Sequence, residues 1–469
     1  RDGGGSWGDV TPPGMPRFGT VNRIEASRHA NGRAFLAVQR YRMDDWKPYI
    51  FRTDDFGKSW TLLTDGANGI PANHAVRVVR EDPDRRGLLY AGTEFGIFVS
   101  FDDGRRWQPL QLNLPLTPVT DIAVHRKDLV VSTQGRSFWL LDDVTPLHQI
   151  SDEMARAPAH LYRPRDAYRV DKGAPVGGLQ DEYAAEPAPP GATLYYYLAS
   201  APESAIALEI RDGQQRVVRS FSSDSARADS LRTPRLPAKR GSHRFTWDLT
   251  YDGVRAPKGV VVWGYQGGVK APPGTYQLQL TVAGQTYTQP LRVLPDPRIT
   301  TVTQADYDEQ LRFASIVRDT LNAVYTAVTS LRDVRTQVTD VLAKAKQMGR
   351  HADLAPLGDT LNAHLGVVED DLVQKRSQSG QDPIRFAGKL DNQLAELYGN
   401  LTGVNGYIAG GIDGRPTRAA LQRAQELNTQ WVSVHQRLLR ILETEVTAFN
   451  AAVVRAGIQP ITLRPRPIT

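Results

Sequence analysis

Thr53-Asp54-Asp55-Phe56-Gly57-Lys58-Ser59-Trp60 is answered further along the chain by Ser100-Phe101-Asp102-Asp103-Gly104-Arg105-Arg106-Trp107. Asp55 to Asp102 is 47 residues, and so is Trp60 to Trp107. Both stretches fit S/T-x-D-x-G-x-x-W, which reads as a turn between two strands. The carboxylate can accept hydrogen bonds from the N–H groups of its own turn, while the glycine supplies a positive φ. The tryptophan then leaves the turn and packs against neighbouring strands. Every member of the pattern serves folding. Thr53, Asp55, Gly57, Trp60, Ser100, Asp102, Gly104 and Trp107 are therefore assigned structural roles, and no residue is assigned a catalytic one.

Strand-forming runs surround each turn. Val21–Ala26, Ala34–Val38 and Tyr49–Arg52 precede the first; Ala75–Val79, Leu88–Thr93 and Gly96–Ser100 precede the second. A third set follows at Thr120–Val124, Asp128–Thr133 and Ser137–Asp142, with Asp142-Asp143 where the turn pattern belongs but without its glycine and tryptophan. A period near ~40–50 residues with four strands per unit is that of propeller blades. Residues 1–150 are thus expected to form the last three blades of an incomplete β-propeller, the third degenerate as terminal repeats are. Three blades cannot cover one another's faces in a ring. Blades preceding Arg1, from the same gene or from another chain, are the expected partners, and a homo-oligomer is a further option.

The repeat, with Asp82-Pro83, Tyr90-Ala91-Gly92-Thr93 and Gly96-Ile97 ahead of the second turn, resembles the bacterial Asp-box (BNR) repeat proteins. These share it with sortilin-like ectodomains, xyloglucanases and sialidases. Tyr41-Arg42-Met43-Asp44-Asp45-Trp46-Lys47-Pro48-Tyr49 and Gly135-Arg136-Ser137-Phe138-Trp139-Leu140-Leu141-Asp142-Asp143 resemble a subgroup of large exported bacterial proteins, labelled glycosyl hydrolase or sortilin-like, with a long C-terminal extension. The resemblance implies a secreted or periplasmic location, the cell surface included. It transfers a fold better than an activity.

Beyond the repeats, residues 151–190 are rich in Pro, Ala, Gly and charge, and read as an extended connector pinned by Tyr162 and Tyr168. Residues 191–300 carry an Ig/FnIII-like β-sandwich: Ala192–Leu198, Ala205–Ile210 and Arg216–Phe221, the last two joined at Asp212-Gly213, then Gly241–Leu249 and Ala271–Leu280. Ser222–Lys239 is polar and reads as a loop. Trp247, Trp263 and Tyr265 could stack a sugar but are expected to serve packing. Residues 301–469 read as a helical bundle with a C-terminal tail. Apolar residues at three and four spacing predict helices at Thr303–Lys346, Ala352–Lys375, Arg385–Leu401 and Thr417–Arg455. The fold class is therefore multidomain, with all-β propeller blades, a sandwich and an α-helical bundle.

Composition narrows function by exclusion. The 469 residues hold 57 basic and 51 acidic side chains, a net charge of +6, without a cluster of five or more cations, so nucleic acid is not expected as a partner. There is no cysteine, which removes disulfides, thiolate metal sites and a cysteine nucleophile. No apolar run reaches the roughly 18 residues of a transmembrane segment. No cofactor or metal is expected, because His351, His364 and His435 lack the Glu three residues earlier that a di-iron bundle uses. Walker, GxSxG, HExxH and zinc spacings are missing. Glu25, Glu81 and Glu94 are carboxylates on or beside blade strands, and His74 lies on a loop before one, but no spacing pairs them. Two functions follow. The first is a non-catalytic exported scaffold binding protein, peptide or glycan ligands. The second is a sialidase- or xyloglucanase-like glycoside hydrolase with its catalytic carboxylates mostly upstream.

Overall fold

The structure, a computed structural model, describes residues 4–170, 191–379, 381–404 and 413–463. The chain forms two compact units. The first takes in the described residues up to Arg165 together with Tyr195–Ala201 and Lys239–His243, and the second takes in the rest.

Three sheets build most of the first unit. β1 (Thr20–Ala26), β2 (Ala34–Arg40), β3 (Asp45–Thr53) and β4 (Thr61–Leu62) form an antiparallel meander in that order. β5 (Val76–Glu81), β6 (Leu89–Thr93), β7 (Gly96–Ser100) and β8 (Gln108–Pro109) repeat it. β9 (Val119–His125), β10 (Asp128–Thr133) and β11 (Phe138–Leu141) form the third sheet, which has three strands. Registers coincide between the sheets: Leu36↔Phe51, Ala91↔Phe98 and Val131↔Trp139 occupy the same place in successive hairpins.

Side chains alternate across each strand, so each sheet sends one set forward and one back. Phe35, Ala37 and Ile50 of the first sheet meet Val79, Ala91, Phe98 and Trp107 of the second. Tyr90, Ile97 and Val99 on the second sheet's other face meet Ile122, Leu129 and Val131 of the third. Ion pairs rim these layers. Arg80 on β5 donates to Glu25 on β1 at 2.6 Å, to Asp121 on β9 at 2.9 Å and to the Ile122 carbonyl at 2.6 Å.

Within 151–190, read from sequence as an extended connector, the described residues carry short regular elements. α1 (Asp152–Arg156) is capped by the Ser151 side chain, and β12 (Ala159–Leu161) and β13 (Ala167–Arg169) follow; residues 171–190 lie outside the described residues. Elements of three residues are too short to show a period. β12 pairs with the later half of β14 (Ala192–Leu198), and β13 runs parallel to a strand more than a hundred residues on.

In the second unit, β15 (Ala207–Arg211) and β16 (Val217–Ser222) form a hairpin, then α2 (Ser225–Leu231) stands where a loop was expected. The Asp224 carboxylate caps α2 by accepting from Arg227 N at 2.7 Å, a local signal masked by the segment's polarity. β17 (Gly241–Trp247), whose first three residues belong to the first unit, β18 (Gly274–Val282) and β19 (Gln285–Pro295) follow. The sheets have orders β12-β14-β17 and β13-β19-β18-β15-β16. Phe245 and Trp247 meet Phe221 and Tyr276 edge to face at 4.8 and 5.4 Å, so aromatic rings fill the space between β17 and the five-stranded sheet.

Four helices complete the unit: α3 (Gln304–Gln347), α4 (His351–Leu372), α5 (Leu390–Leu401) and α6 (Arg418–Arg455). Thr303 and Asp306 close a capping box at the start of α3. Val317, Leu321, Val324, Val328 and Leu331 form its buried stripe, packed with Leu361, Leu365, Leu394, Leu438 and Phe449. α5 begins five residues later than the expected Arg385: a single 3₁₀ turn at Asp382–Ile384 is followed by non-helical residues 385–389. Among the described residues no helix is long and apolar enough to cross a membrane.

Candidate ligand-binding site

The two turn motifs share the same backbone hydrogen bonds. Asp55 Oδ1 accepts from Ser59 N at 2.9 Å and Asp102 Oδ1 from Arg106 N at 2.9 Å. The buried Thr53 and Ser100 hydroxyls accept from Gly57 N at 2.8 Å and Gly104 N at 2.9 Å. Both glycines sit at φ 85°, where a side chain would be strained. The Ser59 hydroxyl and N–H hold the Asp55 carboxyl down at about 2. Trp107 is buried between the first two sheets, while the Trp60 indole donates to Val10 O at 2.8 Å on the first sheet's other face. Asp103 is gripped by Arg33 and Arg52 of the first sheet at 3.1 and 2.6 Å. All these side chains are spent on their own turns or on the neighbouring sheet.

The candidate carboxylates are engaged as well. Glu25 is held by Arg80 and Glu94 by both nitrogens of an Arg77 fork at 2.5 and 3.1 Å; Glu81 is buried and accepts from Gly87 N at 3.2 Å. Asp82 is a hub: Oδ1 accepts from Asp84 N and Arg85 N, and Oδ2 meets Tyr90 Oη and His148 Nε2, each at 2.9 Å. Asp82, Asp84 and His148 could gather round a cation. Yet Asp82 has both oxygens committed to hydrogen bonds, and nothing else points to an ion there.

In an antiparallel meander the turns alternate between two ends. The Asp55 and Asp102 turns lie at one end. The β2–β3 turn, the β6–β7 turn and the link into β5 therefore emerge at the other. There the sequence places aromatic rings where turn tips ordinarily carry small polar residues. Tyr41 from the first turn and Trp46 at the start of β3 lie 5.6 Å apart between ring centres, Trp46 and Phe95 from the second turn 6.1 Å, and Phe95 and His74 from the link 4.8 Å. His74 continues edge to face onto the core ring of Phe98 at 5.9 Å, which anchors the row. Trp46 and Phe95 are each 38% exposed, a large apolar surface to leave in water. The Arg77 and Arg42 guanidiniums stand 5.6 and 6.0 Å from the Tyr41 ring centre, and Glu94 lies beside Arg77. Burial lowers the His74 pKa, so its ring is neutral at neutral pH and belongs to the apolar row.

The sequence named His74 and the Tyr41–Tyr49 stretch but gave no reason to join them, and Phe95 went unnoticed. Its signal was an aromatic residue between the acceptor Glu94 and the turn glycine Gly96. Of Trp247, Trp263 and Tyr265, expected to serve packing rather than to stack a sugar, Trp247 is fully buried and donates to Thr250 O at 2.9 Å, and Tyr265 packs on Tyr398 at 5.9 Å. The second unit has its own cleft of about 1150 Å³ between Asp212–Arg216, Tyr251–Arg255 and α3. Asp212, Asp252 and Asp319 on its wall are paired with Arg216, Arg219 and Arg318.

No protein-family model matches the chain, and no curated protein does. Partial overlaps with solved structures exist. A Niastella koreensis GH74 enzyme is 9% identical, covering 58% of this chain and 46% of its own, with a TM-score of 0.23. An ancestral GH74 enzyme is 13% identical, covering 58% and 31%, with a TM-score of 0.21. An extracellular domain from B. thetaiotaomicron is 9% identical, covering 60% and 32%, with a TM-score of 0.21. The chain thus spans less than half the length of each.

Proposed function

We propose that the three sheets of the first unit are consecutive Asp-box blades of an incomplete β-propeller, and that the chain is a non-catalytic exported scaffold that binds glycans. The row Tyr41–Trp46–Phe95–His74 carries this reading. Aromatic faces are electron-rich, and the C–H faces of sugar rings are electron-poor and flat, so the exposed rings of Trp46 and Phe95, flanked by the half-buried Tyr41 and His74, suit an extended saccharide. The Arg77–Glu94 pair beside it offers donors and acceptors for hydroxyl groups.

Incompleteness is supported by a comparison of equivalent positions. Ile97 and Val99 on β7 point forward to the third sheet and are each 3% exposed. Their counterparts on β11, Phe138 and Leu140, are 79% and 58% exposed. Another sheet of the same kind would cover them.

Affinity electrophoresis of the chain in gels containing neutral or acidic polysaccharides tests the binding. The reading expects retardation by at least one polysaccharide, reduced at least 10-fold in apparent affinity by W46A and by F95A. Equal retardation of wild type and both variants, or none with any polysaccharide, would overturn it. Release of reducing ends from the retarding polysaccharide would instead favour the glycoside hydrolase reading.

A further inference from the structure

α3 carries two stripes. Val317, Leu321, Val324 and Val328 turn into the bundle. Asp308, Arg312, Ser315, Asp319, Asn322 and Thr326, alternately four and three residues apart, line the second unit's cleft of about 1150 Å³, whose other walls are residues 212–218, 251–255 and 272–276. A helix face turned toward the rest of its own fold is ordinarily apolar, and this one is polar. The cleft follows α3 from Gln304 to Thr326, roughly 33 Å of helix at 1.5 Å per residue. Arg255 N donates to Asn322 Oδ1 at 2.9 Å and Arg318 Nη1 to Asp252 O at 3.3 Å, which ties the 251–255 wall to the helix. Charge in the cleft is unevenly committed. Asp212 is paired with Arg216 at 2.8 Å, Asp252 with Arg219 at 3.2 Å and Asp319 with Arg318 at 2.9 Å. The exposed Arg255 reaches a carboxylate only at 4.0 Å, and among the described residues no ion pair or side-chain hydrogen bond engages the exposed Arg312 on α3. Against these two guanidiniums stands Asp308, which accepts from Gln304 Nε2 at 2.9 Å.

We propose that this cleft binds an extended acidic peptide of about ten residues, at roughly 3.3 Å per residue, with its carboxylates on Arg255 and Arg312 and its backbone along the polar stripe of α3. A guanidinium presents a fork of donors that matches a carboxylate, and clusters of arginine are a recurring means of reading acidic peptides. The side chains of Ser315, Thr275 and Gln214 also line the cleft, and among the described residues none of them has a partner, so hydroxyl and amide groups are free for peptide N–H and C=O groups. A saccharide fits less well. Its rings would need an open aromatic face, whereas Tyr276 is 5% exposed and Tyr251 is half-buried. The cleft therefore takes a different ligand from the row at Trp46 and Phe95.

The probe is a fluorescein-labelled decapeptide of alternating glutamate and glycine, titrated with the full chain and followed by anisotropy at low ionic strength, where exposed charges are least screened. Saturable binding is expected, at least 10-fold tighter than that of a decapeptide with lysine in place of glutamate. R312Q and R255Q are each expected to weaken it at least 5-fold; both side chains are exposed, so the fold keeps its packing. R105Q removes an equally exposed charge from the first unit and is expected to leave the affinity unchanged. An equal loss in R105Q would show general attraction to a basic protein and would overturn the proposal, as would the absence of saturable binding or equal affinity for the lysine peptide. A galacturonate decamer bound as tightly as the glutamate peptide would overturn the choice of a peptide. None of these outcomes bears on glycan retention at Trp46 and Phe95.

Discussion

Ser100 is fully buried and its hydroxyl is the hydrogen-bond partner of Gly104 N inside the second turn. S100A leaves that N–H unsatisfied in a closed turn, so a loss of about 1–3 kcal/mol is expected in chemical denaturation of the first unit. A loss well under about 0.5 kcal/mol would mean that the turn does not depend on the bond. Asp391 is the residue whose titration matters most. It is fully buried at the start of α5, alongside the Tyr325 hydroxyl, and burial pushes its carboxyl up to about 7. The folded value lies above the ordinary 3.8, so the stability it brings is complete below that and is lost as pH rises through about 7. D391N should flatten the fall in melting temperature between pH 4 and pH 7 in calorimetry; an unchanged pH slope would show that Asp391 is not its source. At this scale the eight-residue turn motifs were legible because donor, acceptor and glycine are contiguous. Asp391 was not, since its environment is built from α3 and α5, and sequence shows only an acid near a helix start.

Single elements were readable in proportion to their length. α3 and α6 show ten or so turns of apolar stripe, so their bounds emerge from spacing alone, whereas α2, β12 and β13 are too short for any period. Contacts between elements were invisible. Arg80, Glu25 and Asp121 lie 55 and 41 residues apart, and nothing in their local sequence joins them. Yet the guanidinium of Arg80, only 12% exposed, ties β5 to β1 and β9 at once. R80M is expected to cost about 2–4 kcal/mol, less than a fully buried pair would, because Asp121 keeps half its exposure to water. A double-mutant cycle with E25Q should show coupling above about 0.5 kcal/mol; additive losses would remove the clamp from the account.

At the scale of the whole chain, the proposed glycan binding depends on three connections arriving at one end of two sheets. The alternation of turns brings Tyr41, Trp46, His74 and Phe95 together, although they spread over residues 41–95. Sequence could announce the sheets but not which aromatic turn tips meet. The direct measurement is hydrogen exchange of the intact chain, by mass spectrometry, with and without the polysaccharide that retards it most. The account predicts slowed exchange in peptides containing residues 41–46, 73–77 and 94–96, and no change around the 1150 Å³ cleft of the second unit. Protection at that cleft, with the aromatic row unaffected, would contradict it.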